Sequence, residues 1–369
     1  MKTLLATTCL LMWLPELAQA RKWTSTSGHS VDAEYVKQVH GRVILKSPEG
    51  KQYSILLSRL SAGDRAYVNS LSATHGNNST SLPPTPTETS FEEGKVIIYG
   101  QARKLADLAS GAITESSGLA CGRVNKNVFW THNDSGDKPR LFAFGPHGEE
   151  LAVVSVTGAQ SRDWEDMASF SQNGKHFLLV ADVGDNNAKR ETCALYVVPE
   201  PVLDTSKKSK VISVAPSQTI RFSYEDGPHN CESASIDPQT SIIYLVSKEN
   251  GNSCKVYSLP MPKRESKKTV VAKPIATLDI PTTTAMDISA NGLRAIVLTY
   301  GHAFEYRRGP KETWDHGFAR PPRRILMPRR VQGESISYGT DGKTIYLTSE
   351  CKNKDSSNPS PLLEVPVMK

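Results

Sequence analysis

The 369 residues contain only six cysteines, and no pair has metal-finger spacing, which argues against a structural zinc site. No Gly-x-Ser-x-Gly elbow occurs, so a serine hydrolase of that type is disfavoured. A phosphate-cradling Gly-rich loop and a haem motif are also missing. Beyond Leu4–Leu14 no apolar run approaches the length of a transmembrane span. The basic stretch Arg320–Arg330 has no interleaved aromatics, so nucleic acid is not an expected partner. Like Lys207–Lys210 and Lys263–Lys268, it reads as solvated charge in outer loops.

At the N-terminus stand a charged Lys2, the apolar run and a small-residue site at Ala18-Gln19-Ala20. This order predicts a secretory signal cleaved after Ala20 and a secreted or periplasmic product. The net charge of +6 survives that cleavage, because one Lys and one Glu leave together. Cys9 leaves as well. Of the remaining Cys121, Cys193, Cys231, Cys254 and Cys351, export permits one or two disulfides, with at least one thiol left over.

Residues 21–68 alternate as short strands at 31–35, 43–46 and 53–57, with a Pro48-Glu49-Gly50 turn. A helix over 61–68 is expected, with Ser61 as its N-cap and Asp64 at its third position. So short a segment suits a tiny barrel. Residues 69–94 are rich in Ser, Thr, Asn and Pro and read as a linker. Asn77 and Asn78 there form sequons, for which no use is expected in a bacterium.

From 95 onward one pattern recurs five times: an acidic residue, small or apolar residues, a turn, then an apolar run. The copies start at Glu115, Glu165, Glu232, Asp287 and Glu334, roughly 50 residues apart. Strand signals follow at 127–131, 176–180, 242–246, 294–298 and 344–348, with third strands at 141–144, 194–198, 255–259, 303–306 and 362–365. Fourth strands are legible at 151–156, 219–224, 270–278 and 323–326. Four antiparallel strands per unit predict a β-propeller of five blades, with six as the alternative because the second interval is long. The last unit lacks a fourth strand, and Lys95–Tyr99 is expected to supply it and close the ring.

If the acidic residue opens the innermost strand, Glu115, Glu165, Glu232, Asp287 and Glu334 form a ring at one channel mouth. Such a ring needs a cation or raised pKa values, and hard oxygen ligands suit Ca²⁺ or Mg²⁺. The competing reading is that each carboxylate accepts backbone hydrogen bonds and binds nothing. Two polar loops follow second strands and belong to the same face: Asn133-Asp134 with its neighbours, and Asp182 to Arg190 with Asp185 and Asn186. Asp163, Lys248 and Glu350 join them. Residues 182–190 partly mimic a calcium loop without its terminal Glu, giving Asp182, Asp185 and Glu165 as candidate metal ligands. Asx-rich turns use the same residues to cap backbone groups.

Two resemblances add to this reading. The run Arg21-x-Trp23-Thr24, Gly28, Ala33-Glu34, Val43-x-Leu45, Gly50, Ile55-x-Leu57, Leu60-Ser61, Asp64 and Tyr67 resembles the SLA homology domain, the first homology domain of a fungal endocytic adaptor. Exported bacterial proteins also carry this domain, often with Pro where Leu56 stands here. The resemblance implies an SH3-like barrel that binds peptides, in fungi an Asn-Pro-Phe-x-Asp signal. For an exported chain it implies a protein or cell-envelope partner rather than a cytoskeletal one. Residues 131–136, 163–166, 182–190, 196–201, 226–232, 333–335 and 348–350 resemble a group of exported bacterial propellers without a settled activity. The expected product is an all-β binding protein, a small SH3-like barrel followed by the propeller, whose acidic mouth takes a cation or small ligand. The rival class is a metal-dependent hydrolase, of phosphate esters held by calcium, Lys248 and Arg190, or of glycans cleaved by paired carboxylates.

Overall fold

The computed structural model describes residues 21–25, 29–39, 42–48, 50–61, 63–68, 97–205, 210–249, 251, 253–351 and 357–368. The predicted signal and linker lie outside these residues. The chain divides into two compact units, Met1–Thr89 and Ser90–Lys369.

The first unit is a curled antiparallel sheet in the order β1 (Arg21–Thr24), β2 (Ser30–Val39), β3 (Arg42–Lys46) and β4 (Gln52–Leu56). A bridge between Ser25 and Leu60 brings the chain back to its start. Trp23, Ala33, Val43, Leu45, Leu60 and Val68 fill the interior, and the Trp23 Nε1–H donates to the Ala33 carbonyl at 2.9 Å. The helix covers 63–68. Ser61 caps it as expected, its Oγ accepting the Asp64 N–H at 3.2 Å. Asp64 in turn accepts from the Thr24 N–H and the Arg21 guanidinium, so one carboxylate ties the helix to the first strand.

The second unit is a five-bladed β-propeller. Blade one contains β6 (Ser116–Cys121), β7 (Phe129–Asn133), β8 (Arg140–Phe144) and β9 (Glu150–Val156), and β5 (Arg103–Asp107) precedes it in the chain. Blade two is β10 (Trp164–Gln172), β11 (Lys175–Asp182), β12 (Cys193–Pro199) and β14 (Gln218–Tyr224), with β13 (Lys210–Val214) leaving it. Blade three is β15 (Cys231–Asp237), β16 (Ile242–Ser247), β17 (Cys254–Pro260) and β18 (Val270–Leu278). Blade four is β19 (Thr283–Ile288), β20 (Arg294–Thr299), β21 (His302–Arg307) and β22 (Arg323–Leu326). Blade five is β23 (Ser335–Tyr338), β24 (Ile345–Thr348) and β25 (Pro361–Val365), completed by β5.

The inner strands touch in the cycle β6, β10, β15, β19, β23 and back to β6. Five apolar cores separate successive blades, from Trp130 and Met167 between the first two to Leu119 and Leu362 across the closure. The long second interval holds β13, which runs parallel to β9 on the outer edge of blade one; the six-bladed alternative is thereby removed.

Closure differs from expectation in register. Arg103–Asp107 pairs with β25; of the stretch expected there, residues 95 and 96 lie outside the described residues, and Tyr99 makes an isolated bridge to Val367. The outermost strand faces water and is charged, with Arg103 on Glu364 at 2.6 Å and Lys104 on Asp107 at 2.6 Å. Charge suits an edge, and it hid the strand behind its more apolar neighbour. The five cysteines of this unit are free and buried, so the permitted disulfides do not form among them.

Candidate functional site

At the head of three successive inner strands, β10, β15 and β19, the ladder slips. The register shifts fall between Trp164 and Asp166, Cys231 and Ser233, and Thr283 and Ala285. The extra residue at each is Glu165, Glu232 and Thr284. A bulge re-aims one side chain, so the bulged residue is free to face the mouth while its neighbours keep their pairing. Glu334 and Glu115 take the corresponding place just before β23 and β6.

Asp287 does not belong to this ring. It lies three residues further in than Thr284, at zero to slight exposure like its neighbours on β19. It accepts the Tyr338 N–H at 2.8 Å, the Ile288 N–H at 2.8 Å and the Ser235 hydroxyl at 3.1 Å. For this residue the scaffolding role describes what the carboxylate does. The repeat pattern aligned Asp287 with the glutamates because both precede small residues; the bulge that sets the true register is invisible in sequence.

Among the described residues seven carboxylates crowd the mouth: Glu115, Asp134, Asp163, Glu165, Glu232, Glu334 and Glu350. One oxygen from each of Glu115, Asp134 and Glu350 lies within 4.8 Å of the others, and the same holds for Asp134, Asp163 and Glu165. Burial, with Asp163, Glu334 and Glu115 behind it, pushes Asp134 up to about 6. Burial and then Glu334 push Glu350 up to about 9. Glu165 is raised by burial and by Glu232, Asp134 and Asp163, and Asp163 is raised chiefly by burial. Burial pushes Glu232 up to about 7 in spite of Lys248, which is ion-paired to it. Burial opposes the Lys248 ammonium, but Glu232 outweighs it and holds that pKa above its usual value. Oxygen ligands at such density are the donor set of a hard cation, and the residues present fit one.

One residue at this rim escaped sequence reasoning. Tyr300 receives a hydrogen bond from Lys248 at 3.0 Å and donates one to Glu334 Oε1 at 3.1 Å, linking blades three, four and five. Its place just past β20, equivalent to Lys248 past β16 and Glu350 past β24, was the available signal. Asp166, next to Glu165, is fully buried and accepts the N–H groups of Met167, Ala234 and Met286 at 2.8, 2.9 and 2.9 Å. Burial raises its pKa well above the usual carboxylate value, against the pull of those three donors.

The 182–190 loop is held by its own groups. Asp182 is ion-paired with Arg190 at 2.9 Å and accepts the Asp163 N–H. Asp185 accepts the N–H groups of Lys189 and Arg190, an Asx-type turn. Neither joins the two close carboxylate groups, so of the candidate ligands Asp182, Asp185 and Glu165 only Glu165 stands among them. Asn230 receives the Asp185 N–H at 2.8 Å and donates to Asn186 and Glu232, fixing this loop to blade three. Asn133 accepts the Thr114 and Glu115 N–H groups and so positions Glu115 through its backbone.

Gly184 lets the loop approach. A Cβ there would meet Glu165 Oε1 at 2.1 Å and Asp163 Oδ2 at 2.4 Å. Gly184→Ala is therefore expected to displace both carboxylates. For a divalent cation held at this rim, calorimetric titration should show affinity reduced at least about tenfold, since ligand number and placement set Kd over decades, with the far-ultraviolet circular dichroism unchanged.

Solved structures that share features with the chain include three at 10–15% identity. A gluconolactonase from Xanthomonas campestris is 10% identical, with a TM-score of 0.39 over 72% of this chain and 89% of that one. A putative 6-phosphogluconolactonase from Bacteroides uniformis gives 15% and 0.32, over 66% and 67%. The hydrazine synthase of Kuenenia stuttgartiensis gives 14% and 0.32, over 65% and 57%. No curated protein matches the sequence. The family model of SLA1 homology domain 1 (SHD1) matches residues 13–75, which enclose the four-stranded unit. The chain thus carries an SLA1 homology domain 1 ahead of a five-bladed propeller.

Proposed function

We propose that this chain is an exported binding protein with two recognition surfaces. The four-stranded unit engages a protein or cell-envelope component, a reading supported by its match to SLA1 homology domain 1. The propeller mouth holds a divalent cation, Ca²⁺ by the hardness and number of its oxygen donors. The observation that carries the second part is the convergence of seven carboxylates on one rim, two groups of them with oxygens within 4.8 Å. Without a cation, like charges so close must give up ionisation.

Thermal scans of the full-length chain in Ca²⁺ and in chelator test this. A ligand that binds only the folded state at about a thousand times its Kd contributes about 4 kcal/mol, a rise of several degrees or more. An identical melting temperature in both would remove the cation from the mouth.

A second reading has its own support. Glu350, its carboxyl pushed up to about 9 by burial and by the adjacent Glu334, is the kind of group that serves as a general acid in hydrolysis. Turnover of phosphoester or glycoside substrates, abolished in Glu165→Gln, would favour a metal-dependent hydrolase over a binding module.

A further inference from the structure

We propose that the outer edge of blade four is a docking site for an extended acidic peptide of a partner protein, which adds to β22 as one more strand. The basic stretch Arg320–Arg330 contains this edge. Its sequence reads as an outer loop, but Arg323–Leu326 form β22.

Three of the five blade edges are already taken. β13 lies parallel on β9 of blade one over five residue pairs. β14 of blade two and β18 of blade three pair with each other, again in parallel. An added strand is therefore a device this molecule already uses to finish a blade. On blade five the outermost strand, β5, carries both signs of charge in its own ion pairs. β22 differs from all of these. Among the described residues its backbone pairs with β21 alone. The N–H and C=O groups of such an edge are a template for a further chain.

The side chains of β22 alternate. Ile325 is buried, and the Arg323 guanidinium donates to the Ile97 carbonyl and lies 5.4 Å from the centre of the Tyr99 ring. Arg324 and Leu326 form the open face, with Leu326 68% exposed. Arg320 is paired with Glu312 and Arg307 with Glu305, whereas Arg324 and Arg329 have no acid partner among the described residues. A cleft of about 550 Å³ between β22 and residues 99–102 gives an incoming chain room.

These features state the chemistry of the occupant. Residues two apart on an added strand share a face. A carboxylate opposite Arg324 and an apolar side chain opposite Leu326 thus fall at i and i+2, whichever way the strand runs. A second copy of β22 would set like charges against one another, which destabilises cross-strand pairs. Pro321, Pro322 and Pro328 have no N–H to offer, so they confine the pairing to the four residues of β22.

Fluorescence anisotropy of a labelled peptide of alternating Glu and Val, titrated with the full-length chain, tests this. Saturable binding is expected. Arg324→Glu should weaken it about tenfold, because an opposite-charge pair becomes a like-charge pair, and Leu326→Asp should weaken it comparably. Both positions are exposed, so the melting temperature should hold, which separates lost binding from lost folding. Two peptide analogues test the strand itself. N-methylation of alternate amides removes the N–H groups that face β22 in one phase and those that face away in the other. One phase should abolish binding and the other retain it. Equal binding by both phases, or by a peptide with its Glu and Val in separate blocks, would overturn strand addition and leave a merely charged surface. Dimerisation in sedimentation equilibrium that is lost in Leu326→Asp would make a second copy the occupant and overturn the acidic partner. No binding of the alternating peptide would mean that the arginines guard the edge, and would overturn the proposal outright.

Discussion

In chelator, the melting temperature of the full-length chain is expected to fall as the pH rises from about 5 to about 9, and under the proposed calcium binding Ca²⁺ should cancel most of the fall. The sign follows from the direction of the shifts. Asp134 stands at about 6, Glu232 at about 7 and Glu350 at about 9, all above the unfolded carboxylate range near about 4. A group whose pKa is raised on folding contributes stability below its unfolded value and loses it as the pH climbs through its folded value. The window therefore opens near about pH 4 and closes near about pH 9. Solvent at the rim softens each contribution, and a drop of roughly 5 °C is expected for a domain of this size. A bound cation replaces the protons, so the same scan in Ca²⁺ should be nearly flat across that range. A melting temperature that rises with pH in chelator would mean that the rim carboxylates are stabilised as anions by the protein itself.

Asp166→Ala is expected to destabilise the propeller by at least about 3 kcal/mol, the largest effect of any single change at the channel. One oxygen of Asp166 accepts from Ala234 on blade three and Met286 on blade four, and the other from Met167 on its own strand. Truncation leaves three buried N–H groups without acceptors, each costing about 1–3 kcal/mol. Asp166→Asn keeps one acceptor oxygen and should cost less than half as much. Guanidinium unfolding of the full-length chain reads both. Asp163→Asn, at the rim two residues before Glu165, is the control and should not destabilise the metal-free protein. Equal losses at Asp163 and Asp166 would erase the distinction between a rim that binds and an axle that supports.

That distinction is where sequence reading ended. The fourfold strand count, the turn pairs and the spacing near 50 residues were enough to place nearly every blade strand, because apolar alternation and turn chemistry are local properties. The Ser61 cap and the barrel strands were legible for the same reason. The long second interval was also visible, but whether it held a blade or an extra strand depended on pairing with β9, some 60 residues away in sequence. The closing strand was misplaced because its charges look like a loop until the edge it covers is known.

The candidate site divides in the same manner. Glu115, Glu165, Glu232 and Glu334 could be listed from the repeat, yet only the bulges show which side chains turn toward the mouth. Asp287 has the same sequence context and another fate, since it sits three residues deeper and binds backbone. Asp182 and Asp185 look like ligands in one dimension; Arg190 and the loop's own N–H groups take them in three. By itself the sequence determined the architecture, an all-β chain of a small barrel and repeated four-stranded units, because period and turn residues are written locally. Tertiary structure alone decided which acids meet, because meeting depends on ring closure and on a one-residue slip in four of the five inner strands, neither of which any local pattern records.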